Sequence, residues 1–294
     1  MFKENLLKGK RILVTGGGTG LGKEMSRYFL KYGAEVIICG RRGEVLEETA
    51  KELMEEQGGM VKFFPLDIRA PQDVDETIEK IFLEGPLDGL VNNAAGNFIS
   101  RTKDLSHRGF DAIASIVFHG TFYVTHSVGK RWLETNHKGS IISILATWVW
   151  TGSAFVVPSA MSKSGIHAMT KSLAVEWGRT GVRINAIAPG PFPTEGAWAR
   201  LSPNQEIDGE GETSNYNQNP MGRVGEMEEL GNLATFLMSD GCDYLNGQTI
   251  ALDGAEYLTG GTFRHLSALS DDDWENIKNS IKKTNEKDKA KRSV

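Results

Sequence analysis

Thr15-Gly16-Gly17-Gly18-Thr19-Gly20-Leu21-Gly22 is the stretch on which the reading of this chain turns. It follows a short apolar run, Arg11 to Val14, and leads into a stretch of helical spacing that begins near Leu21. That context sets Gly16, Gly20 and Gly22 at a strand-to-helix turn, with Gly18, Thr19 and Leu21 between them. The three glycines have separate jobs: a turn at positive φ, bare backbone for a pyrophosphate to approach, and close packing of helix on strand. The helix N-terminus favours the phosphate charge. A strand before, a helix after and a second strand at the expected distance distinguish this motif from a flexible glycine-rich turn.

Further apolar runs follow at Glu35 to Cys39, Val61 to Leu66, Gly89 to Asn92, Ser140 to Leu145, Val182 to Ile187 and Thr249 to Leu252, with amphipathic stretches between them. Strands alternating with helices build right-handed β-α-β units. A parallel sheet covered on both faces allows its strands to be apolar without alternating. The predicted fold is α/β, a doubly wound parallel sheet of the Rossmann type, in one domain over residues 1–260 with an extension over 261–294. Residues 191–221, rich in Asn, Gly, Pro and Glu, read as a mobile lid beside a ligand cleft or, in their middle part, as a disordered surface insertion. In the extension Ser270 caps a predicted helix whose first turn carries Asp271, Asp272 and Asp273, charges suited to a helix N-terminus. Fraying is expected from Glu286 onward.

The 294 residues suit one such domain, since single-sheet α/β domains commonly run to about 250 residues. With 39% hydrophobic and 24% charged residues the chain can bury a substantial core. A formal charge of -5, with no basic stripe interleaved with aromatics, argues against a nucleic-acid partner. Cys39 and Cys242 are the only cysteines and belong to no cluster of metal spacing, so neither a disulfide scaffold nor a metal site is expected. The N-terminal segment has no apolar run of signal-peptide or membrane-span length, and a soluble, cytoplasmic protein is expected.

An NAD-selective site carries an acidic residue at the end of the second strand. Here the chain reads Cys39-Gly40-Arg41-Arg42, and two guanidinium groups suit the additional phosphate of NADP(H) through planar, bidentate, charge-assisted bonds. A solvated basic turn is the alternative.

Together with Asp67-Ile68, Asn92-Asn-Ala-Ala-Gly96, Ser162-Lys163, Pro189-Gly190 and Thr194, these features resemble the short-chain dehydrogenase/reductase family over about residues 8 to 260. The resemblance implies that Asp67 contacts adenine, that Asn93, Ala94, Ala95 and Gly96 line the cofactor and that Thr194 holds its nicotinamide end. It also implies a homotetramer. Ordinary members carry a Tyr four positions before the Lys, a phenol acting as acid or base while the Lys lowers its pKa and binds the ribose. This chain has Ser159 there, Ala146 in place of the usual Ser, and His119 where many members have Asn.

The 2,4-dienoyl-CoA reductase branch departs in the same way. The chain is similar to it at Asn92 to Phe98, Thr151 to Ala160, Leu173 to Gly178 and Pro189 to Pro191, and in the tail around Trp274. That resemblance implies NADPH-dependent reduction of an acyl-CoA dienoyl thioester. Asn97 then donates to the thioester oxygen, Ser159 and Lys163 match the branch's serine and ribose-binding lysine, and Trp148 stands where some members have Tyr. An indole N–H donates a hydrogen bond but supplies no proton at neutral pH, which leaves protonation to water, His119 or another acid.

Other readings stand beside these. Asn97 could tie down a loop, Ser159 could cap the helix bearing Lys163, and His119 could be structural. Trp148, Trp150, Phe155, Val156 and Val157 could be core rather than an acyl pocket. At the level of the whole chain the alternatives are a carbonyl reductase with a relocated proton donor and a catalytically silent NADP(H)-binding protein.

Overall fold

The computed structural model describes residues 2–194 and 219–292. The chain forms two compact units, Met1–Glu256 and Tyr257–Val294. The first alternates β1 (Arg11–Thr15), α1 (Gly20–Lys31), β2 (Glu35–Gly40), α2 (Gly43–Gln57), β3 (Val61–Pro65), α3 (Pro71–Leu83), β4 (Gly89–Asn92), α4 (His107–Ala114), α5 (Thr121–Thr135), β5 (Ser140–Ile144), α6 (Trp148–Thr151), α7 (Val157–Trp177), β6 (Arg183–Pro189), α8 (Met227–Met238) and β7 (Thr249–Leu252). All seven apolar runs are strands, two with the same ends and the others with an end moved by one or two residues.

They form one parallel sheet in the order β3-β2-β1-β4-β5-β6-β7. The chain leaves β1 in one direction along the sheet and, from β4, continues in the other. The crevice at the carboxyl ends of β1 and β4 is therefore the place where such sheets bind ligands.

Both faces are covered. Ile12, Val14, Val36 and Ile38 pack under Met25, Phe29, Leu53 and Leu230 of α1, α2 and α8. Leu13, Ile37, Leu90 and Ile141 point the other way, onto Val74, Ile78, Val124 and Trp132 of α3 and α5. β1 and β2 are thus apolar at successive residues, which is why their pattern does not alternate. Arg183, buried at the start of β6, donates to the carbonyls of Leu237 (3.1 Å) and Ser239 (2.9 Å), tying the end of α8 to the sheet.

Most of the segment expected to form a lid, residues 195–218, lies outside the described residues. Its roots are anchored. Phe192 is buried in the core, Gly225 N–H donates to the Pro191 carbonyl (3.0 Å), and Asn219 donates to the Asp253 carbonyl (2.8 Å).

In the second unit the capped helix is α9 (Asp271–Arg292). Ser270 Oγ accepts from Asp273 N–H (3.2 Å), and Asp273 Oδ2 accepts from Ser270 N–H (3.0 Å). α9 runs to Arg292 through the stretch where fraying is expected, a run rich in Lys and free of Gly and Pro.

Candidate active site

Gly16 has φ +65°, and a Cβ there would lie 2.9 Å from Ala94 Cα. A Cβ on Gly22 would lie 2.4 Å from the Gly16 carbonyl oxygen. Both positions demand glycine, one for conformation and one for closeness. Gly17, a spacer in the motif, is equally constrained, because its Cβ would meet Ile38 Cγ2 at 2.5 Å. Thr15 is buried: its Oγ1 accepts the N–H groups of Asn93 and Ala94, both at 3.0 Å, and donates to the Val91 carbonyl. Asn93 Nδ2 answers with donations to the carbonyls of Thr15 (3.0 Å) and Gly16 (3.2 Å). These two side chains fasten the loop after β4 to the turn after β1.

A cleft of about 1060 Å³ runs along the carboxyl ends of β1 to β4. Its walls carry Gly16, Gly18, Thr19 and Gly20, then Arg41 and Arg42 after β2, Asp67 and Ile68 after β3, Asn93 to Asn97 after β4, and Thr194 after β6. Leu21, Gly22, Pro189 and Gly190 stand behind these walls. Leu21 packs on the core, and Gly190 N–H closes onto the Leu252 carbonyl at 3.0 Å.

The charges on the cleft are sorted. Lys23 pairs with Glu52 (2.6 Å), Glu24 with Arg27, and Asp67 with Arg69, whose Nε lies 2.9 Å from each carboxylate oxygen. The Arg69 guanidinium holds the Asp67 carboxyl below its usual range. Arg41 and Arg42 are exposed and, among the described residues, in no ion pair. A glycine cradle at one point and two unpaired guanidinium groups at another fit the pyrophosphate and the adenosine end of a phosphorylated dinucleotide. Sequence reasoning overlooked Arg69; an Asp-x-Arg spacing after a strand is visible but belongs to no motif that would have singled it out.

Beyond the cleft, Ser159 and Lys163 lie four residues apart on one face of α7, and both are buried. Lys163 Nζ donates to the Ile144 carbonyl at the end of β5, and burial pushes its pKa down to about 8. α7 begins two residues before Ser159 and is capped by Val156. The capping role for Ser159 is therefore corrected: it sits inside the first turn, and it is Ser162, three residues on, whose hydroxyl donates to the Pro158 carbonyl (2.7 Å).

Trp148 opens α6, half-buried, and α6 packs on α7. Asn97 sits on the cleft wall with its Oδ1 accepting Phe98 N–H (2.9 Å), so one half of its amide orders the loop while the N–H₂ half has no partner among the described residues. His119 is exposed on a π-helical turn, Ser115–Gly120, between the rings of Phe118 (5.6 Å) and Tyr123 (6.2 Å). Such turns are frequent at functional sites, and no simple periodicity in sequence announces them. Trp150 is not core: it is exposed and stands edge-on to His167 at 6.1 Å. Phe155 is exposed too, whereas Val156 is buried. Among the described residues no helix is long and apolar enough to cross a membrane.

The family model described as enoyl-(acyl carrier protein) reductase matches residues 16–255. A Caenorhabditis elegans protein named as a probable 2,4-dienoyl-CoA reductase is 43% identical, covering 98% of this chain and 94% of that one. A peroxisomal 2,4-dienoyl-CoA reductase of Danio rerio is 33% identical over 88% of this chain and 85% of its own. Among solved structures, a short chain dehydrogenase from Bacillus anthracis is 40% identical with a TM-score of 0.77, covering 86% of this chain and 98% of that one. An actinorhodin polyketide ketoreductase with NADPH is 28% identical with a TM-score of 0.80, covering 87% and 99%. Sheet order, glycine turn and sequence likeness agree: the chain is an oxidoreductase belonging to the short-chain dehydrogenase/reductase family.

Proposed function

We propose that this protein is an NADPH-dependent 2,4-dienoyl-CoA reductase. The observation that carries the proposal is the pairing of Ser159 with buried Lys163 on α7, where the family's ketone chemistry uses a phenol, in a chain whose relatives bear that reductase name. Bound NADPH supplies a hydride; the protein has to hold the acyl thioester and take up the charge that reaches its oxygen.

The glycine turn is assigned to the pyrophosphate, Arg41 and Arg42 to the additional phosphate, and Lys163 with Thr194 to the nicotinamide half. The free amide N–H₂ of Asn97 and the indole N–H of Trp148 are assigned to the thioester oxygen. A donor of this kind in a dry site contributes about 3 kcal/mol to the transition state. Trp148 cannot give up a proton, so protonation of carbon falls to His119 or to a water beside Ser159.

A homotetramer is proposed as well. It is supported by Phe122 on α5 and by Met161 and Val175 on α7, large apolar side chains exposed on one protomer, and light scattering of the purified protein tests it. The activity is tested by adding a medium-chain 2,4-dienoyl-CoA to protein and NADPH and following cofactor absorbance, with Lys163→Ala as control. Oxidation that disappears in the control is expected. Turnover of ketones with dienoyl thioesters untouched would select a carbonyl reductase instead.

A further inference from the structure

We propose that Arg69 is a specificity-determining residue for the cofactor: by clamping Asp67 it keeps Arg41 available for the 2′-phosphate, and so sets the preference for NADPH over NADH. The inference rests on the NADP(H) reading above and concerns the adenosine end of the same cleft.

The backbone brings the groups together. Gly40, which precedes Arg41, is paired with Pro65 across β2 and β3, and Leu66 N–H donates to the Gly40 carbonyl at 2.7 Å. Arg41 and Asp67 therefore flank a shared backbone junction, and both line the cleft. An anion placed there would confront a carboxylate beside the guanidinium meant for it. Left to itself, the Asp67 carboxylate would also take Arg41 as its partner.

Arg69 removes both problems. Its Nε meets Oδ1 and Oδ2 of Asp67 at 2.9 Å each, and its backbone N–H adds a bond to Oδ1 at 3.1 Å. The other acidic side chain on the cleft, Glu24, is handled in the same manner by Arg27. Each carboxylate on the wall is thus matched by an arginine, and Lys23 by Glu52; Arg41 and Arg42 are in no ion pair among the described residues, although the Arg41 charge is still felt by Asp67 after Arg69. Arg69 itself is absent from the cleft lining, so its effect on the phosphate passes through Asp67 and Arg41 and it is a positioning residue.

NADH lacks the 2′-phosphate, and whatever Asp67 contributes at the adenine that both cofactors share cancels in the ratio of their affinities. A carboxylate facing a phosphate of nearly two negative charges across water-like surroundings weakens binding by about five-fold, and withdrawal of Arg41 adds to that. The test is direct binding of NADPH and of NADH to the intact protein, by calorimetry, for the native chain and for Arg69→Ala, Arg69→Lys, Asp67→Asn and the Arg69→Ala/Asp67→Asn pair.

Arg69→Ala is expected to weaken NADPH by about ten-fold while changing NADH less than about two-fold, with Arg69→Lys intermediate. Adding Asp67→Asn is expected to restore the native ratio of the two affinities, because it removes the charge that Arg69 masks. Loss of both cofactors in equal measure, an unchanged ratio in Arg69→Ala, or failure of Asp67→Asn to restore it overturns the inference. If the native protein itself binds NADH as tightly as NADPH, the NADP(H) reading fails, an outcome distinct from any in the variants.

Discussion

Lys163 offers a prediction whose sign and size follow from its surroundings. The ammonium is buried on α7 with the Ile144 carbonyl as its partner, and burial lowers its pKa from 10.5 to about 8. A base whose pKa is depressed by folding binds protons more readily in the unfolded chain. Below about pH 8 the folded protein holds a buried cation and carries the full penalty. Between about 8 and 10.5 the penalty shrinks as the folded form sheds its proton, and above 10.5 it is gone. The depression amounts to roughly 3 kcal/mol. Replacing Lys163 by Met keeps the length and removes the charge, at a cost of about 1 kcal/mol for the lost hydrogen bond. The cofactor-free Lys163→Met protein is therefore expected to be more stable than the native chain by about 2 kcal/mol at pH 7. The advantage should vanish, or reverse slightly, near pH 10.5. Urea unfolding of both proteins across this range measures the difference, in which the other titrating groups cancel. A variant less stable than the native chain at pH 7, or a difference that stays flat with pH, refutes the reasoning. Activity is expected to be lost in the variant, so the added stability comes with the loss of the residue proposed to hold the cofactor.

Other outcomes follow from the same geometry. Gly22→Ala forces a methyl against the Gly16 carbonyl, so thermal unfolding should show a loss of about 1–3 kcal/mol and calorimetry should show no NADPH binding. Trp148→Phe keeps a ring but loses the N–H; kcat should fall by about a hundred-fold with the NADPH dissociation constant unchanged, and a weakened cofactor instead would place Trp148 elsewhere. Arg183→Met removes a donor from the carbonyls of Ser239 and of Leu237, which keeps the Ser140 hydroxyl (3.0 Å), and urea unfolding should report a loss of about 2 kcal/mol without a change in KM.

The sheet was legible because its strands are buried on both faces, and a run such as Val36-Ile37-Ile38 declares this without reference to its neighbours in space. The cofactor turn was legible for a related reason, since Gly16 and Gly22 answer to backbone constraints local to one turn. What stayed hidden depends on pairings that sequence distance conceals. Thr15 reads as part of the phosphate motif, yet its hydroxyl is turned 78 and 79 positions along the chain to Asn93 and Ala94. Ser159 reads as a helix cap because it follows Pro158, but the helix starts earlier, with Pro158 already in its first turn, a position where a missing N–H costs nothing. The π-helical turn that presents His119 adds a residue to one helical turn, and apolar spacing blurs rather than breaks there. Arg69 was overlooked because its importance lies in what it neutralises.

The most direct test supplies NADPH deuterated at its transferable hydrogen together with a 2,4-dienoyl-CoA and examines the acyl product by mass spectrometry. The predicted product is an enoyl-CoA carrying one deuterium at the end of the former diene remote from the thioester. A recovered, unlabelled dienoyl-CoA under conditions where NADPH is bound would contradict the proposed reaction.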